Sequence, residues 1–541
     1  MIIFALIINH HKAMAIYLNP NNEGFKRTLA ADIYVDKTMF INELNKFIDK
    51  GNNYVCVSRP RRFGKTIATN MMCAYYSKGC DSHELFKDLK ISKVDNYEKY
   101  LNKLNFISID IASEYQNAID KNNLLNKLAF IVKSEFEEQF PKVKFDYAES
   151  IADCMLRVYN ATGERFVIIL DEYDCLVRDS FGTDLFKDYL EFLNGLFKSN
   201  TLRSAIALAY ITGILPVVRD RVQSKLNNFE EYTILDARNL AEFVGFTKEE
   251  VIPLCEKYGM DYKLCQKEYD GYHQNGYELL NPESVVKSML YGELGNYWGK
   301  TSTFRVITDR LEHNYQGMKD DVVKMLAGEN IEVNVTRYMN TMTDFNSKDD
   351  VFTYLIHLGY LAYDKKTKTC RIPNFEVRKE WYNAMEDLPD YSVTDSIIKA
   401  SKEAWTQLLH KKGDAVAKAL DESHIHVTSH RNYNNEDALA SAIYIAFLYS
   451  LNEYTVVKEP AAGKGIADVI YIPIYGDDEH PAIIVELKRK NSPSVALKQI
   501  KEKQYFNLLD NYKGRVLLAG INYNKDDKTH QCRITEWKKE S

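Results

Sequence analysis

Gly64-Lys65-Thr66 follows an apolar run, Tyr54-Val55-Cys56-Val57, by way of Ser58-Arg59-Pro60-Arg61-Arg62-Phe63. A turn that opens a helix in this way presents backbone N–H groups and the positive end of the helix dipole, which suits a phosphate. Lys65 is then the residue to reach the terminal phosphates of a nucleotide, and Thr66 is the hydroxyl to bind magnesium. A second apolar run, residues 166–170, ends in Asp171-Glu172. Asp171 is suited to hold magnesium, directly or through water, and Glu172 to polarise an attacking water. The two segments read as the two halves of a nucleoside triphosphate site.

Each half also has a plainer reading. The usual phosphate loop has a glycine five positions before Gly64, where this chain has Arg59. The first half alone is therefore a partial match, compatible with a helix start that binds nothing. Two acids at a strand end are common as solvated residues. Together the halves favour the nucleotide site. Thr212, next after the apolar run 205–211, is placed to bond the attacking water or the terminal phosphate, or else is a turn residue before Gly213. Arg219 and Arg221 follow, and could stabilise charge on a transferring phosphoryl group here or on a neighbouring subunit. Arg59, Arg61 and Arg62 are either phosphate contacts or solvated loop charges.

A second constellation lies near the C-terminus. Residues 465–472 alternate as a strand, Gly476-Asp477-Asp478-Glu479 is a polar turn, and residues 482–488 make a partner strand. Side chains two apart share a face, so Glu486 and Lys488 point the same way. A hairpin centred on Asp477 also sets Asp468 opposite Glu486, and a one-residue slip would destroy the arrangement. Two carboxylates and an ammonium suit hydrolysis of a phosphodiester, the acids holding one or two magnesium ions and the lysine orienting the nucleophile. The plainer reading is a hairpin with charges on its wet face.

The elements that must position these residues fall into three regions behind an N-terminal extension, 1–24. From 25 to 236, apolar runs at 54–57, 105–109, 166–170 and 205–211 alternate with helical periodicity, the signature of a parallel sheet with covering helices. From 237 to 388 the pattern is helical. Thr247-Lys248-Glu249-Glu250 has the spacing of a capping box, and residues 349–363 read as a helix stopped by Gly359 and then a strand. Asp387-Leu388-Pro389-Asp390 is the expected linker, so that 389–541 comprises the linker and a C-terminal α/β domain. That domain reads from residue 435 as a helix, two strands, a helix and a last strand at 515–520.

Length and composition set bounds. A chain of 541 residues, 45% hydrophobic and 27% charged, belongs with soluble globular proteins of two or three domains. A formal net charge of -6 confines any nucleic-acid contact to a local patch, for which Lys488-Arg489-Lys490 with Lys498, Lys501 and Lys503 is a candidate. The last three are equally well explained as a solvated helix face. Nine cysteines without paired spacing point to a reducing cytoplasm. Residues 1–8 are apolar but too short to cross a bilayer, and no later segment is apolar enough. Met14 begins a more natural start, so the first 13 residues are expected to be an upstream start-site extension, with a short buried strand as the alternative.

Tyr34-Val35-Asp36-Lys37-Thr38, the loop from Arg59 to Thr66, Ile211-Thr212-Gly213-Ile214-Leu215-Pro216, Tyr269-Asp270-Gly271-Tyr272 and Leu280-Asn281-Pro282 together resemble a bacterial family of AAA-ATPase-like proteins, over nearly the whole chain. In that family an arginine-rich loop replaces the first glycine. The resemblance implies ATP as the nucleotide; the expected contacts are Arg59, Arg62, Phe63, Gly64, Lys65, Thr66, Asp171 and Thr212, with Mg2+ on Thr66 and Asp171 and Glu172 as catalytic. The Asp…Glu-x-Lys spacing resembles the PD-(D/E)XK nuclease superfamily, a domain that the ATPase-like family often carries at its C-terminus. Ile466-Ala467 stand where the superfamily's proline would precede Asp468. This second resemblance implies Asp468, Glu486 and Lys488 as catalytic, Glu436, Asp468 and Glu486 as metal ligands, and Gln499 as a polar support for the metal site or the DNA backbone. The expected fold is thus α/β: a P-loop NTPase parallel sheet with a helical middle region, followed by a C-terminal α/β PD-(D/E)XK nuclease-like domain. The expected function is a cytoplasmic ATPase coupled to a magnesium-dependent nuclease acting on DNA or RNA, a possible homo-oligomer with no membrane contact. The alternative is an ATP-driven switch or protein-remodelling ATPase whose nuclease-like domain only binds DNA or a partner.

Overall fold

The computed structural model describes residues 15–541 except 181, 218–225, 300–304, 312–314, 327, 337–344, 387–391, 428–442, 444–445, 459–468, 474–479, 490–491, 503–511, 513, 525–526, 528 and 538–541. β1 Tyr54–Ser58, β2 Asn105–Asp110, β3 Phe166–Asp171, β4 Ile206–Gly213 and β5 Glu230–Tyr232 form one parallel sheet in the order β2-β3-β4-β1-β5. β1, β3 and β4 are buried at every residue, and that is why they read as unbroken apolar runs. Val55, Val57, Val167 and Ile169 face one core, while Cys56, Ile168 and Leu170 face the other. β4 is longer than the run 205–211, so Thr212 and Gly213 lie inside it and pair with Val57 and Ser58. β5 is a short edge strand, Glu230-Glu231-Tyr232, and gives no apolar signal.

The middle region is mainly helical and holds two small sheets. β6 Phe246–Thr247, β7 Tyr272–Gln274 and β8 Tyr277–Leu280 run in the order β6-β8-β7, and β9 Ile331–Glu332, β10 Ala362–Asp364 and β11 Thr369–Arg371 in the order β10-β11-β9. The Thr247–Glu250 capping box opens the helix Lys248–Tyr258. The helix Lys348–Leu358 stops at Gly359, whose φ of +89° needs a glycine.

The Asp270-Gly271-Tyr272 and Leu280-Asn281-Pro282 segments fasten this region together. In the Asp270-Gly271-Tyr272 turn, Asn374 Nδ2 donates to the Asp270 carbonyl at 2.7 Å and Arg371 Nη1 to the Gly271 carbonyl at 3.2 Å. Asn281 caps the helix Pro282–Tyr291 by accepting from Ser284 N. Lys37 reaches across to Glu250 and to the Glu242 carbonyl, both at 2.5 Å.

Glu376, on the helix Phe375–Glu386, accepts from Ser284 Oγ and from the N–H groups of Tyr297 and Trp298, each at 2.8 Å. Burial outweighs these bonds and pushes its carboxyl up to about 8. The folded chain therefore holds this proton more tightly than the unfolded chain. Its stabilisation is full below the ordinary glutamate value and is lost as pH rises through about 8. Relative to wild type, Glu376→Gln is expected to gain about 1.4 kcal/mol per pH unit from about pH 5 to about pH 8. Denaturant unfolding at several pH values checks this, and a constant difference between the two proteins would contradict it.

The C-terminal sheet contains β12 Tyr454–Lys458, β13 Val469–Pro473, β14 Ala482–Arg489, β15 Val516–Asn524 and β16 Thr529–Trp537 in sequence order, with only β14–β15 parallel. The parallel crossover runs through the helix Pro493–Glu502. Ile484 and Leu518 pack on Leu497 and Ile500 of that helix. Val485, Leu487, Ala519 and Ile521 face the opposite way, into the core that also holds Trp405, Trp381, Tyr360, Trp298, Tyr272 and Val55. One continuous apolar core thus runs from the parallel sheet through the middle region to the C-terminal sheet.

Candidate functional site

The loop after β1 leads into α1, Lys65–Tyr76. Arg62 and Gly64 both have positive φ, 68° and 87°, and backbone curled in this way turns successive N–H groups to a common side. Gly64 is required by its conformation alone, since a Cβ there would meet nothing within 4 Å. Lys65 Nζ donates to the carbonyls of Arg59 and Pro60 at 3.3 and 3.1 Å and lies 3.5 Å from Glu172 Oε1.

The sheet order sets β4 between β1 and β3, so the loop and the acids of β3 meet at the same C-terminal edge. Asp171 is buried and accepts from Thr69 Oγ1 at 3.2 Å, and the Thr66 hydroxyl bonds it as well. Burial first, then the neighbouring Glu172, raises its carboxyl to about 6. A buried carboxylate beside two hydroxyls three residues apart on α1 is a set of hard oxygen donors, and these fit a magnesium ion. Sequence reasoning missed Thr69, although its spacing of three from Thr66 on one helix face was available.

Glu172 has a φ of 47°, uncommon for a residue with a side chain. This turn returns the chain at once, and Tyr173 N donates to the Thr212 carbonyl at 3.0 Å. The carboxylate of Glu172 is left facing Lys65 on one side and Arg178 Nη2 at 3.5 Å on the other. Asp174 and Arg178 were not anticipated. Asp174 has no exposed surface and accepts from the N–H groups of Ile214 and Leu215.

Three expected nucleotide contacts take other roles. Arg59 does not extend toward a ligand; its guanidinium is fully buried and bonds the carbonyls of Ser58 and Tyr232 at 2.8 Å. The side chain runs beneath the loop because β5, unseen in the sequence, ends there and offers carbonyls. Thr212 donates its hydroxyl proton to the Val57 carbonyl at 2.7 Å and ties β4 to β1. The Phe63 ring is an anchor, buried against Gly245 and edge-on to Tyr272 with centroids 5.2 Å apart. Its neighbour Pro60 sits against Gly359, where a Cβ would come within 2.7 Å of the proline. Any contact from residue 63 to a nucleotide therefore falls to its backbone. Arg62 is half exposed and lies 3.5 Å from Glu283. Arg219 and Arg221 lie outside the described residues.

The middle region thus grips the phosphate-type loop from below. Phe63→Ala is expected to cost about 3–5 kcal/mol of stability and to weaken ATP binding about tenfold by loosening a pre-organised loop. Unfolding and nucleotide titration test this together, and wild-type affinity in the variant would show that the loop keeps its curl unaided.

At the C-terminal site, Glu486 is fully buried and Lys488 Nζ lies 2.7 Å from its Oε1. Lys488 is itself buried, so it is not part of an exposed basic run. The pairs Val469↔Val485, Ile470↔Ile484 and Tyr471↔Ile483 are symmetric about Asp477, the centring expected of the hairpin. Asp468, Glu436 and the side chain of Gln499 lie outside the described residues. Among the described residues no group of three or more His, Cys, Asp or Glu could hold a metal. On β15, Gly520 stands opposite Glu486 and Asn522 opposite Lys488. Asn522 is buried, and its Oδ1 has no hydrogen-bond partner among the described residues. It shares the face of the Glu486–Lys488 pair. Alternation with the apolar Ala519 and Ile521 carries that signal in the sequence, and it was missed.

Residues 25–223 match the family described as predicted AAA-ATPase, and residues 434–533 match the PD-(D/E)XK nuclease superfamily. The chain is 26% identical over 288 residues to an uncharacterized protein in the vnfD 5′ region of Azotobacter chroococcum mcd 1, covering 51% of this chain and 52% of that one. It therefore spans about half the length of the curated relative it matches. Among solved structures it is similar to the Aeropyrum pernix ORC2 protein in its ADPNP–ADP complexes, with a TM-score of 0.24 and 10% identity over 65% of this chain and 93% of that one.

Proposed function

Because the chain joins a predicted AAA-ATPase domain to a domain of the PD-(D/E)XK nuclease superfamily, we propose that it hydrolyses ATP at the first and cleaves nucleic acid at the second. The observation that carries the reading is the convergence of Lys65, Asp171 and Glu172 at one edge of the sheet, with Lys65 3.5 Å from Glu172 and Asp171 bonded by Thr69. Lys65, Gly64, Arg62 and the backbone of Phe63 bind the phosphates, and Thr66 with Asp171 holds Mg2+. Magnesium, when bound, supplies positive charge to the phosphate oxygens. Water adds to the terminal phosphorus, the bond to the ADP oxygen breaks, and Glu172 takes the water's proton. The hydrolytic chemistry needs no further group from the middle region, whose part is to hold the loop.

At the C-terminal site Glu486, with Asp468 and Glu436, binds the metal, and Lys488 orients the attacking water on a phosphodiester. The register of the described pairs, centred on Asp477 as the sequence predicts, supports this reading. The shared apolar core supports coupling between the two sites. A cytoplasmic setting accords with nine cysteines outside any disulfide. Among the described residues no helix is long and apolar enough to cross a membrane.

The test is a matrix of single- and double-stranded DNA and RNA incubated with the full chain and Mg2+ or Mn2+, with and without ATP, while phosphate release is followed in parallel. Phosphate release with cleavage supports the whole reading. Phosphate release without cleavage of any substrate leaves an ATP-driven switch or remodelling protein whose C-terminal domain only binds. No phosphate release overturns the reading at its first step.

A further inference from the structure

The end of β3 and the turn after it carry four polar or aromatic groups, Asp171-Glu172-Tyr173-Asp174, and only the first two are used by the chemistry above. The other two are bolted to the exit of β4. Tyr173 Oη donates to the Pro216 carbonyl at 2.7 Å or to that of Leu215 at 3.1 Å, and the Tyr173 carbonyl accepts from Tyr189 Oη at 2.7 Å. Asp174 accepts from Leu215 N at 2.9 Å and from Ile214 N at 3.2 Å. The fit leaves no slack at Gly213, where a Cβ would lie 2.2 Å from Asp174 Oδ1.

Arg178 is one turn on from Asp174, in α2, Cys175–Asp179. Its Nε donates to Asp174 Oδ2 at 3.0 Å, and its Nη2 lies 3.5 Å from Glu172 Oε2. The side chain is largely buried, with 11% of its surface exposed, whereas Glu172 keeps 25% exposed. A planar guanidinium fixed by one carboxylate and aimed at another sets the direction of the second. The only other cation beside Glu172 that the described residues supply within 4 Å is Lys65, on the far oxygen. A terminal phosphate would compete with Glu172 for Lys65, and the cation then left to Glu172 is Arg178.

We propose that Arg178, anchored by Asp174 to the exit of β4, is the positioning residue that aims the Glu172 carboxylate at the attacking water. It touches neither nucleotide nor water, and it acts through Glu172. The inference rests on the ATPase reading and adds to it a link between the hydrolytic carboxylate and the segment that leaves β4. Any shift of residues 213–216 is carried through Asp174 and Arg178 to Glu172. Turnover is then sensitive to the exit of β4, while nucleotide grip, set by the loop of β1, is not.

The experiment uses the full chain with Mg2+ and ATP. Arg178→Gln is expected to lower kcat on the order of 10- to 100-fold, part of the usual effect of a general base, while affinity for a fluorescent ATP analogue stays within about twofold of wild type. Arg178→Lys, which keeps the charge but not the fork, is expected to fall between the two. Wild-type kcat in Arg178→Gln overturns the inference. So does a parallel fall of kcat, affinity and melting temperature that lysine does not relieve, since that is the behaviour of a purely structural ion pair. If wild type itself neither binds the analogue nor releases phosphate, the ATPase reading fails first and takes the inference with it. The two failures are thus distinguishable.

Discussion

Lys65→Ala is expected to remove ATP hydrolysis, lowering kcat on the order of 100- to 1000-fold, the range found when a charge-stabilising donor is deleted from a transition state. The ammonium has one place in the structure, between the Arg59 and Pro60 carbonyls and Glu172 Oε1. No described side chain can replace it there, because Arg59 is turned into the core and Arg62 leans toward Glu283. The fold should survive, since a lysine that shrinks to alanine leaves the Arg62–Gly64 curl and the Pro60 and Phe63 anchors untouched. Phosphate release and thermal melting on the same preparation decide it. Residual turnover within about threefold of wild type would mean that Lys65 does not touch the reacting phosphate.

Glu486→Gln is expected to remove magnesium-dependent cleavage by a factor on the order of 1000 while leaving ATP hydrolysis intact. The amide keeps the shape of the carboxylate but not its charge, and a hard cation then loses its buried anionic ligand. There is a side effect to control. Lys488 is buried and paired with Glu486 at 2.7 Å, so the single variant strands an ammonium and can cost about 3–5 kcal/mol. The double variant Glu486→Gln with Lys488→Met removes both charges and should recover most of that stability without recovering cleavage. If the stable double variant still cuts, the catalytic assignment of this pair is wrong.

What the sequence made legible was what is local or covered on both faces. β1, β3 and β4 announce themselves because every residue is buried. Lys65 and Thr66 open a helix and Asp171-Glu172 lie at the end of a strand, so two short signals of adjacent residues suffice to point to the core of the first site. The hairpin register was legible because a polar segment separates two alternating apolar strands, and the described pairs follow the centring about Asp477. The failures share a different cause. Arg59 and Thr212 look like ligands in one dimension, but their partners, Tyr232, Leu240 and Val57, are brought in by tertiary structure. Edge strands such as β5 and β16 are half solvated and lose the apolar signature that a central strand has. Asp174 and Arg178 carry an i, i+4 spacing that a helix of five residues is too short to advertise.

The short segments of the middle region acquire a physical meaning in the same light. The Asp270-Gly271-Tyr272 turn and the Asn281 cap fasten the seat on which Phe63 and Pro60 rest. Lys37 ties the start of the first region to Glu250 in the second. The loop after β1 and the distant turn are thus parts of one packed unit.

That continuous interior, shared from Val55 to Ile521, has a consequence for anyone who would dissect the chain. Excision at a boundary drawn from sequence would bare greasy surface on both fragments, and cassettes from related chains could not be swapped in unless their matching interior came along. The three regions are legible as separate paragraphs of sequence, yet as matter they are one casting.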